Sequence, residues 1–227
     1  RDLVEMGIAN ATRSMQNKNI DGDPQFGTKE LVGYSFRINR SSIPEAFQAT
    51  SEFHRIPLDV VRDYCTIEIA DRCSFIEHNP GYSWTVRPEV WKPFLNEDKK
   101  FDYTYSERMC KSIPVLINTL IRDPGSRQGI LSIFRPTDLQ NSGGKKRIPC
   151  SMYYQILQRP QEFHILYTMR SCDLYTHFGF DVTLAIQFGN LMRGALEGSA
   201  SKKPITLTMF IGSLHAYRKD YEPRGVF

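Results

Sequence analysis

Cys150 stands directly after a proline and ahead of a run with strand character, and it is the residue of this chain best placed for nucleophilic chemistry. A thiol attacks as its thiolate, which requires partial access and a cationic neighbour; Arg127 and Arg170 are arginines that could supply one. From spacing alone, a buried structural cysteine is the default reading. Arg170 and Ser171, at the end of a second strand-like run, set a planar donor fork beside a hydroxyl, a pairing suited to phosphate oxygens. Arg127, in the turn DPGSR, offers another such fork. His215 and Tyr217 lie two apart in HAY, so a strand would put imidazole and hydroxyl on one face, where they could meet a sugar. Taken singly, each of these also reads as a surface ion pair or an exposed strand end. Glu68 and Asp71 fall in or beside an apolar run, where a carboxylate is either exposed at an element's edge or buried for a reason.

Such residues need elements to hold them. Residues 2–16 place Leu3, Val4, Ile8, Ala11 and Met15 near helical spacing, which predicts an opening amphipathic helix. A turn-rich loop follows at 17–27, and 30–39 alternates aromatic and β-branched residues with polar ones, as a strand does. A short helical pattern covers 43–52, and the apolar run around 60–69 has no firm assignment. Residues 79–100, rich in Pro, Gly and Lys and carrying Trp84 and Trp91, read as a surface excursion pinned by aromatics. A helix is expected over 106–122 around an interior Pro114, ending at the turn beginning with Asp123. Strands are expected at 129–135, 152–157 and 163–169, with an Asn-Ser-Gly-Gly hinge in the loop 136–146. A largely buried helix at 182–196 and a last strand at 205–211 complete the chain and deliver GSLHAY. No internal repeat is present, and the order of elements reads as an α+β fold in one domain over 1–227.

Composition narrows the function classes. Hydrophobic residues are 41% and charged residues 24% of 227, which excludes disordered and fibrous classes. The net charge of +4 suits an anionic small molecule or a weak nucleic-acid surface equally well. The densest basic run, Lys145-Lys146-Arg147, could attract a phosphate near Cys150 or form a solvated loop. Five cysteines (65, 73, 110, 150, 172) with no CxxC pair point to a reducing, cytoplasmic setting, and five scattered histidines leave no expected metal site. No apolar run approaches a membrane span.

DPGSRQGI, RIPC, MRSCDL, GFDV and GSLHAY occur in the order and approximate spacing found in the thymidylate synthase superfamily, and YTYSER at 103–108 extends the match. This resemblance implies a thymidylate synthase-like fold, a mixed or antiparallel sheet covered by helices, with one sheet face used for homodimerisation. It implies that Cys150 adds to C6 of a pyrimidine and that Arg170 and Ser171 bind the phosphate. It also implies that Arg127 reaches the phosphate site of the partner subunit in a homodimer. Asp173 resembles the aspartate near base and folate, His215 and Tyr217 the pair holding the sugar 3′-hydroxyl, Tyr105 the active-site tyrosine, and Glu68 the glutamate that organises water and protons. The implied co-substrate is 5,10-methylenetetrahydrofolate and the implied partner a pyrimidine nucleoside monophosphate, without metal, membrane or nucleic acid.

The chain departs from thymidylate synthases at informative places. Cys150-Ser151 stands for Cys-His, Arg127-Gln128 for Arg-Arg, and GSLHAY for GDAHIY, the last resembling phage deoxycytidylate hydroxymethylases, as does Arg135-Pro136. The ten residues after Tyr217 are shorter than the family's usual closing tail. Asp181 stands where thymidylate synthases resemble this segment with an asparagine, whose amide can accept from uracil N3–H and donate to O4. Cytosine reverses that pattern, since N4 donates and N3 accepts. An aspartate accepts from the amino group, and if protonated, or sharing a proton with N3, it serves the other edge too. The expectation is therefore a cytidylate 5-hydroxymethylase acting on dCMP or CMP, with Ser171 favouring dCMP. The alternatives are methylation of dUMP and a non-catalytic pyrimidine-nucleotide or RNA-binding module.

Overall fold

The computed structural model describes residues 8–10, 14–15, 18–19, 23–141 and 146–224. Its main sheet has six strands in the order β1-β4-β8-β7-β6-β5: β1 (Ile8–Asn10), β4 (Thr28–Ile38), β5 (Ile130–Ser132), β6 (Ser151–Gln158), β7 (Phe163–Asp173) and β8 (Ile205–Tyr217). Two further short strands, β2 (Ser14–Met15) and β3 (Lys18–Asn19), pair with each other. The sheet is mixed: β7 and β8 run parallel, and every other pair in it is antiparallel.

The parallel pair requires a crossover, which the helix α5 (Phe178–Glu197) supplies. The inward faces of the central strands alternate as a half-buried sheet should: Tyr154 and Ile156 on β6, Ile165 and Tyr167 on β7, Leu207 and Met209 on β8 are all buried. Tyr154 stacks on Tyr167 with centroids 4.2 Å apart and meets Phe188 of α5 at 4.5 Å. Over α5 lie α1 (Ile43–His54) and α2 (Leu58–Arg72). There the Thr50 hydroxyl donates to the Gly179 carbonyl at 2.9 Å and the Thr183 hydroxyl to the Ala46 carbonyl at 3.1 Å, so these two buried hydroxyls are satisfied. Among the described residues, no helix is long and apolar enough to cross a membrane.

Several expectations change. The opening helix expected over 2–16 is overturned where it can be read: Ile8–Asn10 is a strand paired with Thr28–Glu30, and Ser14–Met15 a short strand. The rest of that stretch lies outside the described residues, as do Ser142 to Gly144 of the proposed hinge. The unassigned run around 60–69 is the middle of α2. The helix expected over 106–122 is two, α3 (Tyr105–Met109) and α4 (Ser112–Arg122). The break puts Pro114 in the first turn of α4, where its missing N–H would have had no intrahelical partner. Finally β8 runs on to Tyr217, so GSLHAY is strand and not the segment after one.

Candidate active site

A cavity of about 890 Å³ opens at the end of the sheet where β7 and β8 finish, and it gathers most of the residues singled out from sequence. Cys150, Arg170, Ser171, Asp173, Asp181, His215, Tyr217 and Tyr105 all line it. The register explains part of this convergence: Ser171 pairs with Ser213 and Asp173 with His215 across the parallel strands. Between the Met169 and Ser171 pairings the strands come unusually close, because a Cβ on Gly212 would lie 2.7 Å from the Arg170 carbonyl oxygen. Only glycine permits that approach.

Arg170 organises the segment before the thiol. Its Nε donates to the Pro149 carbonyl at 2.9 Å, one Nη to the Ile148 carbonyl at 3.2 Å, and the other to the Ser171 hydroxyl at 3.1 Å. The same guanidinium lies 3.7 Å from Cys150 Sγ, and the Ser171 hydroxyl lies 3.6 Å from it. A cation and a hydroxyl converging on one sulfur suit a group that must carry negative charge as it attacks. The neighbouring Ser151 is fully buried; its hydroxyl donates to the Tyr105 hydroxyl at 3.1 Å and hydrogen-bonds the Tyr167 hydroxyl.

Asp173 closes the turn after β7, accepting from the backbone N–H groups of Tyr175 and Thr176 at 3.1 Å each through one oxygen. Among the described residues no donor reaches its second carboxylate oxygen, and Asp173 lines the cavity. Asp181 lies in the first turn of α5, where a helix favours negative charge. Burial nevertheless pushes its carboxyl up to about 6, against the opposing pull of Arg72 and the hydrogen bond from the Cys172 thiol. His215 and Tyr217 present their rings edge to face, 5.4 Å apart, on the strand next to Asp173. Burial raises the Tyr217 and Tyr105 hydroxyls above the ordinary phenol range, so both are neutral donors near neutral pH.

Two expected residues are not brought into this cavity. Glu68 lines a smaller neighbouring chamber, with one carboxylate oxygen 2.6 Å from Arg72 Nε and the other hydrogen-bonded to the Ser83 hydroxyl. Arg127 is exposed and away from the cavity of its own chain, and its carbonyl accepts from the Gln155 side chain at 2.8 Å.

Other lining residues escaped the sequence reading. Arg72 is buried with its guanidinium carbon 4.1 Å from the centre of the Tyr105 ring, and its spacing of four from Glu68 was a readable helical ion-pair signal. Trp91, Phe94 and Tyr103 form an aromatic wall, with Arg147 lying 4.6 Å over Phe94 and 5.1 Å over Trp91. His177 packs against Trp91 at 5.3 Å, and burial with the nearby arginine charges depresses its pKa to about 3, so it is a neutral ring in this wall. Of the basic run, Lys146 and Arg147 line the cavity, and Lys145 lies outside the described residues. Among the described residues, no group of three His, Cys, Asp or Glu side chains could hold a metal ion.

A family model described as thymidylate synthase matches residues 75–224, which include the cavity's lining except Thr28, Glu30, Tyr64 and Arg72. The chain belongs to the thymidylate synthase family. Members of that family are folate-dependent one-carbon transferases acting on a pyrimidine nucleotide, typically as dimers. Among solved structures, the thermostable thymidylate synthase A from Bacillus subtilis is similar with a TM-score of 0.61 at 17% identity, covering 95% of this chain and 76% of that one. At that identity the likeness speaks for the fold, which is the thymidylate synthase fold with its mixed sheet covered by helices. No curated protein sequence matches.

The donor set also fits the family's folate. The cavity volume exceeds what a mononucleotide fills, the wall of Trp91, Phe94 and Tyr103 offers flat apolar faces, and the unspent oxygen of Asp173 can accept from a pterin N–H.

Proposed function

We propose that the protein is a cytidylate 5-hydroxymethylase, acting on dCMP or CMP with 5,10-methylenetetrahydrofolate. The observation that carries this reading is Asp181, a half-buried residue lining the same cavity as Cys150, whose carboxyl is pushed up to about 6 by desolvation. Such a group can accept from cytosine N4 and share a proton with N3, whereas an asparagine would favour the uracil edge.

In this reading Arg170 and Ser171 hold the phosphate, His215 and Tyr217 hold the sugar, and the Cys150 thiolate adds to C6 so that C5 becomes nucleophilic. The folate supplies the one-carbon unit at the oxidation level of formaldehyde. Asp173 orients base and folate, Tyr105 donates a hydrogen bond near the reacting carbon, and Glu68 organises the water that completes the hydroxymethyl group. The chain acts as one catalytic domain over 1–227 in a homodimer. Support for the dimer comes from the sheet face turned away from the helices, where Ile130, Tyr153 and Phe210 are exposed at 52%, 36% and 42%, and from Arg127, exposed beside Gln155 of that face.

Incubating the protein with CMP, dCMP and dUMP plus methylenetetrahydrofolate, then weighing the products, tests the reading directly. The expected product is a 5-hydroxymethylcytidylate; a preference for dUMP with a methylated product overturns it. A Cys150→Ala protein should form no covalent adduct with a 5-fluoropyrimidine nucleotide and folate. A non-catalytic binding module would form none even with Cys150 present.

A further inference from the structure

Beside the substrate cavity lies a smaller chamber of about 50 Å³. The two share Arg72, Trp91, Tyr103, Tyr105 and Arg147 as a common wall. Glu68, Asp71 and Ser83 supply polar atoms to its lining, beside the apolar Pro80, Trp84 and Phe101. Since about 10–15 Å³ of such volume accommodates one water, the chamber takes a few waters and is too small for a base or a pterin.

Arg72 is the feature of this wall that needs an explanation. It is 5% exposed, and its Nε is occupied by Glu68 at 2.6 Å. Among the described residues, its other two nitrogens donate to no protein acceptor, and they are not among the fully enclosed unpartnered atoms. A guanidinium carries five N–H donors and, once buried, normally spends them. Here the unspent ones sit between a chamber of water size and the cavity that holds Cys150.

We propose that the chamber stores the water consumed in the reaction, and that Arg72 is the catalytic residue that presents this water to the substrate. This rests on the hydroxymethylase reading above. The water oxygen accepts from the free nitrogens of Arg72 and forms a bond to the exocyclic methylene carbon at C5. The carbon–carbon π pair moves into the ring and the water's proton passes to the Glu68 carboxylate, which Arg72 and Ser83 hold at the chamber. The ring electrons then return to restore the C5–C6 double bond and expel the Cys150 thiolate. No oxidant or reductant is required.

The experiment counts two events in one reaction. With dCMP carrying tritium at C5 and methylenetetrahydrofolate, tritium release reports folded enzyme that has completed the steps before water addition, and hydroxymethyl product reports water addition itself. In Arg72→Met, product formed per tritium released should fall roughly 10-fold or more. Added 2-mercaptoethanol should then capture the stranded methylene as a thioether. Arg72→Lys, which keeps a cation and donors, should give an intermediate ratio. An unchanged ratio in Arg72→Met, or tritium and product falling in parallel, overturns the proposal. A wild-type protein that releases tritium but yields a methyl product overturns the hydroxymethylase reading itself, and the product mass shows this before any variant is made.

Discussion

The Cys172 thiol donates to the Asp181 carboxylate across 3.6 Å, joining the end of β7 to the first turn of α5. The bond ties the Asp181 carboxyl to the strand that also carries Arg170 and Ser171, so one element fixes the position of all three side chains proposed to read phosphate and base. Arg72 of α2 and Arg87 pull this carboxyl down, Glu68 pushes it up alongside burial, and burial is the largest of these influences.

Asp181 gives the fold a defined pH dependence. Its carboxyl lies near 3.8 in the unfolded chain and at about 6 in the fold, so the native state binds the proton more tightly. The associated stabilisation is complete below the unfolded value and is lost as pH rises through about 6. At 1.36 kcal/mol per pKa unit this is about 3 kcal/mol. Asp181→Asn removes the titration. Its stability relative to wild type, measured by denaturant unfolding, should therefore grow between pH 4 and pH 7, and a constant difference would contradict the burial argument. The same variant should shift catalytic preference toward uracil nucleotides, measured as the ratio of kcat/KM for dUMP and dCMP.

Arg170 tethers the segment before Cys150 and, in the proposed function, also holds the phosphate, and substitution can separate the two. Arg170→Lys keeps the positive charge but cannot reproduce the three-way fork to Ile148, Pro149 and Ser171. Loss of charge-assisted bonds of about 1.5–3 kcal/mol predicts a roughly 10- to 100-fold higher KM for the nucleotide. Because the loop before Cys150 also loses its tethers, kcat should fall too. Steady-state kinetics on purified protein would show the pattern, and a rise in KM alone would remove the positioning role.

Gly179 marks the tightest point of the seam between α1 and α5. Its backbone N–H donates to His54 Nε2 at 3.2 Å, and a Cβ there would approach that nitrogen to 2.8 Å. Gly179→Ala should destabilise the protein by about 1–3 kcal/mol through overpacking, despite the higher helix propensity of alanine. Thermal unfolding would register the loss as a lower Tm.

What could be seen in the sequence was mostly what repeats with a period. Tyr154, Ile156, Ile165 and Tyr167 alternate, and the strands β6 and β7 were legible from them; so was α5, from its broad apolar face. The helix α2 was hidden because Glu68, Asp71 and Arg72 interrupt its apolar pattern. They are tolerated there by partners distant in sequence: Asp71 accepts from the Tyr82 and Ser83 N–H groups at 2.7 and 3.1 Å, and Ser83 reaches Glu68. The opening residues misled for the opposite reason. Leu3, Val4 and Ile8 fit a helical spacing over a short stretch, and pairing with β4 decides Ile8–Asn10 instead. Within the candidate site, motifs pointed to Cys150, Arg170 and Asp181, but nothing in a linear reading placed Arg72 over Tyr105 or moved Glu68 behind it. Those are facts of packing between α2 and α3.

The parallel pairing of β7 and β8 also divides the chain by how freely its length can vary. Ser171 and Asp173 face Ser213 and His215 as neighbours in space, although α5 and its flanking loops separate them in sequence. Residues added in the segment 198–204 would lengthen the crossover and leave β7 and β8 in step. One residue added inside β8 before His215 would turn the imidazole to the opposite face of the sheet. Growth by insertion is therefore open to the crossover and closed to the two strands that line the cavity.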